Sequence, residues 1–132
     1  MEILKITTAT REQMLDVTGE LRKLVSAKPW KRGALLLFCP HTTCGLTINE
    51  GADPDVARDM LTAFSRLVPR QGGYRHVEGN SDAHIKVSLM APSLIVPLED
   101  SEIRLGTWQS VYLVESDGPR NRTLWVQWLP GA

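Results

Sequence analysis

Three histidines, His41, His76 and His84, are the only imidazoles in this 132-residue chain. Three neutral imidazoles with a fourth position open form a divalent-metal site of catalytic type. Their spacing matches no local metal motif, so only the fold could bring them together; taken singly, each reads as an ordinary polar surface residue. Glu50 follows Asn49 just before an acidic stretch containing Asp53, Asp55 and Asp59. Asp53 and Asp55 are explained as helix cap and dipole partners. Glu50 is not, which makes it a candidate general base, or a carboxylate that orients a metal-bound imidazole; a solvated strand end is the plain alternative. Gly106-Thr107-Trp108-Gln109 interrupts a β-rich stretch, where Trp108 and Gln109 can line a polar pocket and core packing explains Trp108 as well. The turn Asp117-Gly118-Pro119-Arg120-Asn121-Arg122 carries two guanidiniums suited to phosphate or carboxylate, or simply to a solvated turn. No G-x-x-x-x-G-K-[ST], G-x-G-x-x-G, G-x-S-x-G or H-E-x-x-H occurs, which removes the commonest nucleotide-binding, hydrolase and metalloprotease readings.

Fifteen Lys and Arg balance fifteen Asp and Glu. Without net charge the chain lacks the long-range attraction on which nucleic-acid and anionic-membrane binders rely, so neither partner is expected. Its longest apolar run, residues 34–39, falls far short of the roughly 20 residues that span a bilayer. Cys39 and Cys44 form one Cys-x4-Cys pair without a second, so they read as small buried hydrophobes. With no export signal visible, a cytoplasmic protein with reduced thiols is expected. No repeat or linker divides the chain, and residues 1–132 read as one domain.

The elements that must position these residues follow from periodicity and punctuation. Strands are expected at residues 3–8 and 13–17, then a helix over 18–27 capped by Thr18 and stopped before Pro29. The unbroken apolar run Leu35-Leu36-Leu37-Phe38-Cys39 suggests a central strand buried on both faces. Residues 46–50 alternate and read as a strand returning from the His41-Thr42-Thr43 turn. Asp53-Pro54 opens a helix whose Val56, Met60, Phe64 and Leu67 share a face. Residues 69–79 form a loop, after which Asn80 or Ser81 can cap a helix running to Met90, although Ile85, Val87 and Leu89 also alternate like a strand. β-strands at 94–98, 103–115 and 123–128 complete an α+β fold of six or seven mostly antiparallel strands and two or three helices.

Taken together, Pro40-His41-Thr42-Thr43-Cys44-Gly45-Leu46-Thr47-Ile48-Asn49-Glu50, Ala83-His84-Ile85-Lys86, Pro92-Ser93-Leu94 and Leu105-Gly106-Thr107-Trp108-Gln109 resemble the YjbQ-like family, also called the secondary thiamine-phosphate synthase enzyme family. The resemblance spans nearly the whole chain. It implies a trimer of α+β subunits with packed sheets, and a pocket near the subunit boundary that contains His41, His76 and His84; imidazole nitrogen with no competing thiolate cluster suits zinc, with magnesium the alternative where a diphosphate is the substrate. Asn49, Glu50, Trp108 and Gln109 become expected pocket residues, with His41, Glu50, Trp108 and Gln109 in the catalytic set. The implied reaction joins hydroxymethylpyrimidine diphosphate to a thiazole phosphate, with Lys86, Arg120 or Arg122 meeting the anionic groups. A metal- or phosphate-binding trimer without catalysis is the alternative. Cys44 stands where Ala or Ser is usual, and Ala91 where Gly is common.

Overall fold

A computed structural model describes all residues, 1–132. The chain runs β1 (Glu2–Thr7), β2 (Gln13–Asp16), α1 (Thr18–Ser26), β3 (Gly33–Phe38), β4 (Cys44–Glu50), α2 (Pro54–Leu67), α3 (Ser81–Val87), β5 (Ser93–Glu99), β6 (Glu102–Ile103), β7 (Gln109–Glu115) and β8 (Asn121–Pro130). The α+β expectation holds. One more strand is present than expected, because the stretch from Ile103 to Glu115 divides into the two-residue β6 and the long β7. A five-stranded sheet has the order β1-β8-β3-β5-β6 and a three-stranded sheet the order β2-β7-β4. All named pairings are antiparallel.

One core joins the inner faces of both sheets to α1. Leu35 and Leu37 of β3, Val96 and Leu98 of β5, and Leu124 and Val126 of β8 meet Val111 and Leu113 of β7, Leu46 of β4, and Leu21 and Val25 of α1. The expectation for the Leu35–Cys39 run is half right. β3 lies at the centre of its sheet, but Leu35 and Leu37 are buried while Leu36 is half-buried and Phe38 is exposed. Nothing in the chain covers the outer face. The strand buried on both faces is β7, where Ser110 to Glu115 are all buried. Its outer side lies under the layer formed by α2 and α3, which pack on β2 and β4.

Three local readings are corrected. Val17, not Thr18, occupies the α1 cap position, and the Thr18 hydroxyl instead accepts the Val111 N–H at 2.9 Å, tying the helix to β7. β4 does not return against β3 from the His41 turn; it pairs with β7 in the other sheet, so the turn crosses between sheets. Helix won over strand for residues 81–87, but α3 ends at Val87 rather than Met90, and Ala91 bridges to Leu46. The Asp53-Pro54 signal stands: Asp53 Oδ1 accepts the Asp55 N–H at 2.9 Å with Pro54 in the first turn.

Candidate functional site

His41 sits where the chain crosses from β3 to β4. Its Nε2 accepts the Thr123 backbone N–H at 3.0 Å. A nitrogen that accepts carries no proton, so the ring is neutral with its proton on Nδ1. Burial and the adjacent Arg122 guanidinium both push the imidazole below its usual range, which favours that form. The turn is pinned by Arg122, whose Nη2 donates to Thr43 Oγ1 at 2.8 Å and whose Nε donates to Glu115 Oε2 at 2.7 Å. Burial alone would raise the Glu115 carboxyl, but Arg122, the Asp117 N–H and the Thr8 hydroxyl hold it below its ordinary value. Arg122 is therefore buried inside the chain and supports His41 from within. Cys39 and Cys44, free and buried at either end of this turn, belong to the core.

His84 stands on α3, and His76 in the loop before it. Their ring centroids are 5.5 Å apart with planes at 82°, edge to face. α3 is too short to be held by its own hydrogen bonds. It is held by charge. Asp82, fully buried, receives both terminal nitrogens of Arg11 at 2.9 Å each and Lys86 Nζ at 3.0 Å, and Lys86 also pairs with Glu12. Burial raises the Asp82 carboxyl, yet the Arg11 and Lys86 hydrogen bonds outweigh it and bring the pKa down to about 2. Lys86, expected to meet ligand, is thus buried in the brace that orients His84. Arg120 remains half-exposed and pairs with Asp117 at 3.1 Å.

Asn49, Glu50, Trp108 and Gln109 come together at the other end of β4, because the β4–β7 register sets Glu50 opposite Gln109 and Asn49 opposite Ser110. Asn49 Oδ1 accepts the Glu50 N–H, and the Glu50 carbonyl accepts the Tyr112 hydroxyl at 2.7 Å. Gln109 Oε1 accepts the Gly106 N–H at 2.7 Å and shapes the loop on which Trp108 stands 65% exposed. β4 spans about 20 Å at 3.3 Å per residue, and His41 precedes its other end. The His41 turn and the Glu50–Trp108 end therefore lie at opposite ends of β4, and the three histidines do not gather into one metal-ligand group.

The buried carboxylates Glu115 and Asp82, with Arg11 and Glu12, were not foreseen. Among them only Glu115 has a sequence signal, a charge directly after the apolar run Val111-Tyr112-Leu113-Val114.

The model of the UPF0047 protein YjbQ-like family matches residues 2–131. The chain belongs to this family. Among its relatives, the UPF0047 protein YugU of Bacillus subtilis is 44% identical over 96% of this chain and 97% of its own length. A UPF0047 protein of Methanocaldococcus jannaschii is 42% identical over 93% of this chain and 89% of its own. A crystal structure of a YjbQ/UPF0047-family protein from Clostridium acetobutylicum superposes with a TM-score of 0.92 at 45% identity, covering 96% of this chain and 98% of the other. A conserved hypothetical protein from Thermus thermophilus superposes with a TM-score of 0.91 at 43% identity, covering 98% and 100%.

In this chain, no three His, Cys, Asp or Glu side chains stand together to hold a metal ion. His76 and His84 offer two imidazole donors, and His41 spends Nε2 on Thr123. A catalytic zinc takes three protein ligands, so the pair alone does not complete such a site. No helix is long and apolar enough to cross a membrane.

Proposed function

We propose that the chain is a cytoplasmic homotrimeric transferase of the thiamine-phosphate synthase type, possessing this as a side activity, with its site completed between subunits. The observation that carries this reading is the edge-to-face His76–His84 pair, two ligand-type side chains, one on the braced helix α3 and one in the loop before it. The open apolar face of the five-stranded sheet supports the trimer, since closed symmetry is the usual way to cover such a face. In the reaction the thiazole nitrogen attacks the pyrimidine methylene carbon, a C–N bond forms, and the C–O bond breaks as diphosphate leaves with its electron pair. The protein's part is to neutralise the leaving group and keep water from the reactive carbon. Zinc at the histidines, or magnesium on the diphosphate, would supply Lewis-acid charge.

The distance along β4 between His41 and Glu50 favours a second reading, a trimer that binds a phosphorylated ligand without turning it over. Product formation by zinc- or magnesium-loaded protein separates the two. The expected result is condensation above background, reduced about 10- to 100-fold in His84→Ala together with loss of bound metal. Absence of product with metal present leaves the binding protein. Equal rates in wild type and His84→Ala remove the histidine pair from the site.

A further inference from the structure

Lys86 and Arg122 are committed to buried ion pairs and Arg120 to Asp117, so none of the three is free to meet a ligand beside the histidine pair. Arg70, just beyond the end of α2, forms no ion pair. It lines a concavity of about 210 Å³ together with Gln71, Gly72, Gly73, His76 and Ser81. We propose that this concavity is the phosphate subsite, taking the diphosphate or phosphate end of the substrate with Arg70 as its anchor. The inference rests on the transferase reading and names the residues that would meet its anionic group.

The chemistry of the lining fits a compact oxyanion. It contains a guanidinium fork, an amide, a hydroxyl and an imidazole, and no carboxylate. The volume is several times the roughly 30 Å³ share of one water molecule, room for a phosphate or diphosphate. The loop is shaped rather than loose. The Tyr74 hydroxyl donates to the Pro69 carbonyl at 2.8 Å, and its ring lies so close over Gly72 that a Cβ there would meet it at 2.6 Å. Gly73 turns the chain through the left-handed region, φ 68°. Of the nearby carboxylates, Asp82 is paired with Arg11 and Lys86 and Asp117 with Arg120, while Glu78, outside the lining, stands 3.7 Å from His76 Nε2.

Calorimetric titration of the full chain with inorganic pyrophosphate in chelator-treated buffer tests this directly, comparing wild type with Arg70→Gln and with Arg104→Gln, whose guanidinium pairs with Asp100 and Glu102 elsewhere. Saturable binding by wild type and Arg104→Gln, weakened at least about tenfold in Arg70→Gln, is expected. The proposal is overturned if Arg70→Gln binds like wild type, if Arg104→Gln loses as much, or if wild type shows no saturation up to about 10 mM. An unchanged KM for the diphosphate substrate in Arg70→Gln would also overturn it while the transferase reading stands. Arg70-dependent binding without any condensation would instead keep the subsite and remove the reaction.

Discussion

Asp82 shows how a single buried charge comes to govern a site it does not enter. Its carboxylate is free of solvent and survives because Arg11 and Lys86 both reach it. The folded pKa lies at about 2 against an ordinary 3.8. A carboxyl lowered by folding stabilises the native state above its unfolded pKa, and that contribution is lost as pH falls through the folded value. Stability should therefore decline between about pH 4 and pH 2, and urea unfolding of Asp82→Asn should show a shallower decline across that window. An identical slope would show that the brace does not titrate there. Removing one partner of a buried pair leaves the other uncompensated, so Asp82→Ala should cost about 3–5 kcal/mol. Glu50 makes the opposite prediction. It lies partly open at a strand end, so Glu50→Gln should leave folding intact and, if the carboxylate moves a proton, lower thiamine-phosphate formation on the order of 10²-fold. A wild-type rate would take it out of the reaction.

Among the elements, α2 and β3 show two ways in which a sequence fixes a terminus. At α2, Asp53 accepts the Asp55 N–H in the arrangement that the Asp-Pro pair announces. Asp53→Ala should lower unfolding free energy by about 1 kcal/mol, read from denaturant melts. β3 begins at Gly33, whose φ of 124° puts it where side chains are strained, and a Cβ there would lie 2.0 Å from the Leu129 carbonyl oxygen of β8. Gly33→Ala should therefore destabilise more than Asp53→Ala, through the β3–β8 pairing, and equal losses would contradict this.

For the whole molecule, the decisive asymmetry is that the two sheets are covered differently. The small sheet lies between the large sheet and the α2–α3 layer, whereas the large sheet has one face open. On that face Phe38 and Trp125 stack at 5.6 Å, and Leu36, Ile95 and Ile3 continue the patch, Ile95 64% exposed. On the proposed trimer, light scattering should give wild type the mass of three chains, and Ile95→Lys with Phe38→Lys should lower it toward one while cooperative melting persists. A mass unchanged from wild type would show that subunits meet elsewhere.

Much of this was legible in the sequence, for reasons of range. The Asp53-Pro54 start, the alternation in β4, the family motifs and the buried character of Cys39 and Cys44 depend on neighbours within a few residues, or on motifs that survive as strings. The same holds for the grouping of Asn49 with Glu50 and of Trp108 with Gln109. Which strand pairs with which does not: residues 40–43 look alike whether they close a hairpin or cross between sheets, and the choice is made by burial of β7, far along the chain. The apolar run at β3 gave no sign that one face would be left open, since periodicity records apolarity and not what covers it. The fate of the cations was equally invisible. Lys86, Arg120 and Arg122 are cations as Arg70 is, and only the positions of Asp82, Asp117 and Glu115 in space decide that those three are paired while Arg70 is not, because electrostatic pairing depends on distance through the fold and not on separation along the chain.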